Sequence, residues 1–268
     1  MSNERTPSRF RKILTRVLLV LLIVILVVVG TLSVFAAQNV KAMDHCVEAA
    51  MAQLRGQYTV TPVDPGEYED LTLFGLMKFD VEQYDIEGVG NLSVMRVNMG
   101  IMQMSTFVIT PLDRNLPLLS TDYMYILGNR TAYMEFYDVV ARKDDSYNAL
   151  LTKLDTAIAG YDHLEDAEAT PAWYADLLTV TSYKKGGTGE DAVLEQMLVD
   201  CLEVYLNHGK ELPALTDVER AEKIDITVAY TDGLIEKGGI STDVFKSALG
   251  NETTKDFFDR VFFGTAAP

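Results

Sequence analysis

The segment Asn115-Leu116-Pro117-Leu118-Leu119-Ser120-Thr121-Asp122-Tyr123-Met124-Tyr125-Ile126-Leu127-Gly128-Asn129-Arg130-Thr131-Ala132-Tyr133-Met134-Glu135-Phe136-Tyr137-Asp138 carries the pattern from which the fold is read. Two apolar and aromatic runs flank Gly128-Asn129, a pair that tolerates positive φ and suits a tight hairpin. Inside the first run sits one acid, Asp122. A carboxyl buried in such a run is costly unless it is paired, hydrogen-bonded or kept neutral by a raised pKa. So placed, it is a candidate proton donor. The alternative is an ordinary aspartate at a strand end, or on the solvated side of the pleat.

The same texture extends outward. Residues 71–81, 93–100, 102–109, 118–127 and 131–139 are rich in β-branched, aromatic and methionine residues. Turn formers separate them: Asp85–Gly88, Gly90-Asn91, the stretch 111–117, and Gly128-Asn129. Short runs joined by short turns predict an antiparallel meander rather than parallel βαβ units. Beyond Ala141 the spacing becomes helical, and helices are expected over 146–159, 171–179, 191–207, 217–235, 242–249 and 252–262. The last two are separated by Gly250 as a stop signal, with Ser241 as N-cap of the first. Strands followed by helices make an α+β arrangement, with helices covering the sheet. The glycine-rich stretch 184–189 follows no clear strand and lacks the GxxxxGK[ST] pattern of a phosphate cradle.

The N-terminus bears on compartment. Arg5, Arg9, Arg11, Lys12 and Arg16 precede residues 17–37, which are apolar except for Gly30, Thr31 and Ser33. About 20 such residues cross a bilayer as a helix. The reading is a basic cytoplasmic tail (1–16), a single transmembrane anchor (17–37), a connecting helix and loop (38–66), and a main domain (67–268) outside the cytoplasm at the cell membrane. A cleavable signal peptide, with its apolar core at 17–29, is the alternative. The helix expected over 38–54 continues the anchor into the domain.

The chain holds 23 basic and 39 acidic residues, of which the first 37 positions hold five and one. The remainder therefore has 18 against 38. So acidic a domain repels nucleic acid and anionic headgroups. Two cysteines, Cys46 and Cys201, exclude a disulfide scaffold; a single bridge or two buried thiols both fit. Three scattered histidines lack ligand spacing, and no metal site is read.

Two segments resemble the ferredoxin-dependent bilin reductases and the related red chlorophyll catabolite reductases. Leu116-Pro117-Leu118-Leu119-Ser120-Thr121-Asp122 is similar to that family's Leu-Pro-apolar-apolar-Gly-x-Asp strand, whose aspartate is the central proton donor. Thr242-Asp243-Val244-Phe245-Lys246-Ser247-Ala248-Leu249-Gly250, leading to Asp256-Phe257-Phe258-Asp259-Arg260-Val261-Phe262-Phe263, is similar to its closing pair of helices. The ordered similarity spans roughly residues 70–264. It implies an α/β/α sandwich with a central antiparallel sheet, and a linear tetrapyrrole or other flat hydrophobic molecule held between the sheet and the C-terminal helices. It also implies reduction without a bound cofactor, fed by an external ferredoxin-like donor protein. Asp122 matches the proton donor and Asp217 a further C-terminal aspartate. Thr106 stands where many members have histidine, and no carboxylate lies at 94–96.

On that resemblance the binding set is Arg96, Met104, Thr106, Tyr123, Met124 and Tyr137. Arg96 would meet a pigment propionate or Asp122; the commoner case is a solvated arginine. Six of the 11 methionines lie between positions 95 and 134, among tyrosines. They line a pocket or simply fill the packing between sheet and helices. An external domain and an acidic surface both count against an acidic cytoplasmic donor, which leaves a non-catalytic, surface-anchored binding module as the other reading.

Overall fold

The computed structural model describes residues 9–169 and 171–266; the first eight residues of the basic tail lie outside it. Its first element, α1 (Arg9–Arg55), runs 47 residues without a break, about 70 Å at 1.5 Å per residue. Side chains from Ile13 to Thr31 are exposed, whereas Met43, Cys46, Val47, Ala50, Met51 and Leu54 are buried against the sheet. One helix is thus apolar and bare over its first half and a core element over its second.

The strands are β1 (Val60–Val63), β2 (Asp70–Leu73), β3 (Met77–Ile86), β4 (Gly90–Asn98), β5 (Met102–Pro111), β6 (Leu118–Ile126), β7 (Asn129–Tyr137), β8 (Glu165–Asp166) and β9 (Leu178–Gly187). They form one antiparallel sheet in the order β1-β3-β4-β5-β6-β7-β9-β8, with β2 also on β3. The expected run 71–81 is a hairpin, not a strand: Phe74-Gly75-Leu76 turns it, with Phe74 and Gly75 at φ 53° and 67°. The β6–β7 turn falls one residue earlier than Gly128-Asn129, because Ile126 pairs with Asn129 and leaves Leu127-Gly128 as the loop.

The helices are α2 (Asp145–Ala159), α3 (Asp191–Glu211), α4 (Asp217–Lys237), α5 (Ile240–Leu249) and α6 (Asn251–Phe257), the last passing into a π-helical turn over Phe258–Phe262. The helix expected over 171–179 is absent. A 3-10 turn (Ala175–Leu177) leads into β9, whose backbone pairs along β7 and so overrides the local spacing. Lys184–Gly187, read as a loop, closes that strand.

Period-two alternation sends side chains to two layers. Leu92, Val94, Phe107, Leu119, Met134 and Phe136 meet α1, α2 and α3. Phe79, Val81, Met95, Val97, Val108, Leu118 and Tyr137 meet α4, α5, α6 and the π turn. The chain is an α+β protein, an α/β/α sandwich preceded by a long apolar helix. Lys223 of α4 fastens the second layer: its fully buried ammonium donates to the carbonyls of Leu116 (2.7 Å) and Val139 (2.9 Å), at the ends of two strands. Burial lowers its pKa to about 7. Cys46 and Cys201 are free and buried.

Gly90 opens β4 at φ +141°, and a Cβ there would lie 2.4 Å from the Thr110 carbonyl oxygen. Gly90→Ala therefore costs about 2–4 kcal/mol of stability, read as a lowered midpoint in urea unfolding.

Candidate functional site

Register sets the site. Met95, Thr106, Asp122, Tyr133 and Tyr183 are successive cross-strand partners on β4, β5, β6, β7 and β9, forming one row on the face covered by the C-terminal helices. The rows beside it supply Met104 and Met124 on one side, Ser120 and Glu135 on the other. Tyr174, Tyr230, Phe258, Phe262 and Phe263 close the space from above. Together they bound a cleft of about 260 Å³ between the sheet and α4, α5 and the π turn. π-helical turns occur often at functional sites; this one delivers two adjacent phenylalanine side chains to the cleft.

Asp122 is the acid of this cleft. Thr106 donates its hydroxyl proton to Asp122 Oδ1 at 2.5 Å. Burial raises the carboxyl pKa to about 6; the Thr106 hydrogen bond opposes that rise and the charge of Glu135 adds to it. Glu135 in turn accepts hydrogen bonds from the hydroxyls of Tyr137 and Tyr183, the latter at 2.8 Å. Burial holds Tyr137, Tyr183 and Tyr230 as neutral phenols, with pKa values above the ordinary range. Ring centroids of Tyr137 and Tyr230 lie 5.1 Å apart, and those of Tyr137 and Tyr174 5.7 Å, so one wall is a packed tyrosine cluster. Among the lining residues none is Lys, Arg or His.

The structure brings Asp122, Thr106, Met104, Met124 and Tyr137 together and leaves three expected residues elsewhere. Arg96 lies on the opposite face, paired with Glu82, with Asp44 of α1 at 3.4 Å and with Glu48 at 3.9 Å. Tyr123 follows Asp122 directly, so the pleat sends it the other way, where it donates to the Leu194 carbonyl at 3.0 Å. Asp217 is exposed at the start of α4, 13 residues or about 20 Å along the helix from Tyr230. The residues not anticipated are Glu135, Tyr174, Tyr183, Tyr230 and the phenylalanines of the π turn. Glu135 was within reach of the sequence, since it lies between Tyr133 and Tyr137 at the same parity. The others depend on which helix covers which face.

A second cavity of about 390 Å³ lies on the other face beneath α1 and α3, beside His45, Cys46, Arg130, Asp191 and Glu195. Its buried cation is already matched: the Arg130 guanidinium donates to Asp191 (2.5 Å) and Asn39 (2.8 Å), while His45 meets Glu195 at 2.5 Å. Burial pushes the Cys46 thiol up to about 12, so it offers no thiolate. Among the described residues no cluster of His, Cys, Asp and Glu is suited to a metal.

The raised Asp122 pKa gives stability a definite pH dependence. The folded state holds this proton more tightly than the unfolded chain, so its contribution is complete below about pH 4 and is lost as pH rises through 6. Asp122→Asn is expected to flatten that limb and to stabilise the protein at pH 8 by about 1–3 kcal/mol, measured by urea unfolding across pH 4–8.

No protein-family model matches the chain, and no curated protein matches its sequence. Among solved structures it is similar to phytochromobilin synthase from tomato, crystallised in complex with biliverdin: TM-score 0.66, 83% of each chain covered, 13% identity. At that identity the likeness is one of fold alone: the antiparallel sheet and its covering helices are arranged as in that protein.

Proposed function

We propose that the chain binds a linear tetrapyrrole, or a closely similar flat conjugated molecule, in the cleft between the sheet and α4, α5 and the π turn, and reduces it with Asp122 as proton donor. The observation that carries this reading is the Asp122 carboxyl itself: hydrogen-bonded to Thr106, with a pKa raised to about 6, and lining an aromatic cleft in a fold shared with a biliverdin-binding protein. An acid with that pKa remains partly protonated near neutrality and is matched to giving up its proton there. Electrons would come singly from an external ferredoxin-like donor protein, as the resemblance implies. The acidic surface favours a donor with a basic docking face. The bare half of α1 would hold the domain at a membrane as a single-pass anchor, with the basic tail cytoplasmic and the domain outside.

Two observations favour a second reading, capture without reduction. Threonine stands at 106 where the resemblance expects a titratable histidine, and the cleft has no cation to hold a propionate. A ligand with carboxylates must then leave them at the mouth, in water.

The test is an absorption titration of the full-length protein with biliverdin, followed by a chemical one-electron donor. Reduction that needs both protein and electrons, and slows about tenfold per pH unit above pH 6, is the expected outcome. Asp122→Asn should retain the bound spectrum and lose about 100-fold or more in rate. Glu135→Gln should move the pH limb downward by removing the neighbouring charge. A bound spectrum unchanged under every donor establishes the capture reading; no spectral change at all removes the tetrapyrrole.

A further inference from the structure

The antiparallel register gathers three hairpin turns at one end of the sheet. Lys78 near the start of β3 pairs with Asn98 at the end of β4, Met102 with Ile126, and Asn129 with Gly187. The β2–β3, β4–β5 and β6–β7 turns therefore share an edge. Their tips are apolar and bare: Phe74 is 63% exposed, Leu76 70%, Ile101 49% and Ile126 38%. Phe74 and Leu127 also adopt left-handed backbone, at φ 53° and 54°. Such turn positions ordinarily favour Gly or Asn, so a bulky apolar side chain stands there at a conformational cost.

The same edge is where the exposed half of α1 leaves the domain. Phe35 lies beside Gly128 of the β6–β7 turn, 3.6 Å from where a Cβ would stand. One turn on, Asn39 donates to the Tyr125 carbonyl and accepts from Arg130. Further along, α1 crosses the sheet obliquely, with Asp44 near Arg96 of β4 and Arg55 over the Tyr84 ring of β3.

We propose that this edge is a lipid-docking surface. The tips Phe74, Leu76, Ile101 and Ile126 enter the interfacial layer of the membrane that α1 spans, and so fix the orientation of the domain upon it. The occupant is a bilayer because the tips continue the apolar surface of α1 at the point where its span ends. Bringing tips spread over several strands to one plane requires α1 to tilt, and spanning helices tilt by up to about 40°. With 38 acidic against 18 basic residues after position 37, charge supplies no attraction to anionic lipid. Contact is therefore apolar and insensitive to salt. Docking here also brings the Met104–Met124 end of the cleft next to the lipid surface.

The inference rests on α1 spanning a membrane, and the experiment separates the two. Cys46 and Cys201 are buried, so a cysteine introduced at the surface takes a thiol-reactive, polarity-sensitive fluorophore alone. Full-length Leu76→Cys, Ile101→Cys, Val24→Cys and Glu87→Cys proteins are labelled and placed in phosphatidylcholine nanodiscs with and without brominated acyl chains. Val24 lies in the span, and Glu87 is exposed at the opposite end of the sheet. Blue-shifted emission and quenching at 76 and 101, as at 24 but not at 87, is the expected result, unchanged in high salt. Emission at 76 and 101 matching that at 87, with 24 quenched, overturns the docking and keeps the anchor. An unquenched probe at 24 overturns both, and leaves the pigment titration, which needs no bilayer, to stand by itself.

Discussion

Everything chemical in this protein depends on the register between β5 and β6. Thr106 faces Asp122 across that pair, and the alternation of the pleat turns both toward the C-terminal helices. A slip of one residue would send Asp122 into the layer packed against α1 and α3, where Leu119, Tyr123 and Tyr125 now lie. Both layers enforce the register, because each face of β6 is covered. Leu118 and Leu119, adjacent in sequence, are fully buried in opposite cores. The position of one carboxyl is thus held by the burial of many apolar side chains.

The two layers differ in finish. On the α1 face the helices are long, their apolar residues interdigitate with the sheet, and the charged Arg130 is paired by Asp191 and Asn39. The other layer is made from one long helix, two short ones and a π turn. Lys223 fastens its far end to the strand termini, and Trp173 closes over Gly233, where a Cβ would lie 2.3 Å from the indole. Between those fixed points Tyr230, Phe258 and Phe262 reach the sheet only in part, and the cleft is the space they leave. A tyrosine cluster lines one side of it. Phenols suit that place, since each ring packs while its hydroxyl reaches a polar partner such as Glu135.

Much of this was legible in the sequence. The meander, its turns and the late helices follow from hydrophobic spacing, and the isolated acid in an apolar run marked Asp122. Thr106, Met104, Met124 and Tyr137 lie on its face. Tyr123 falls on the face opposite Asp122, for neighbours on a strand point apart. Arg96 shares its face with Tyr123 through Ser105, a relation that needs the register of three strands. β9 was hidden because its stretch gains its strand character from the open edge of β7. Asp217 rests on the resemblance alone, and its place at a helix start is a common one for an acid simply because the helix dipole favours it. Tyr174, Tyr230 and the phenylalanines of the π turn could not be assigned to a cleft before the packing of α4–α6 was known.

Charge decides what the cleft can hold. Its ionisable lining is Asp122 and Glu135, with tyrosines whose burial keeps them neutral. An anionic group driven into it would face the Glu135 carboxylate in a site of low dielectric, without a counter-ion to offset the lost hydration. A conjugated ring system bearing N–H donors meets the opposite situation, because Asp122 and Glu135 present acceptor oxygens and the walls present aromatic faces. For a linear tetrapyrrole this orders the molecule: pyrrole nitrogens inward, toward Asp122, and propionates outward, into water. Burial, with a smaller contribution from the Glu135 charge, raises the Asp122 pKa, so on the proposed reading the cleft that orients such a ligand also keeps a proton on the acid beside it.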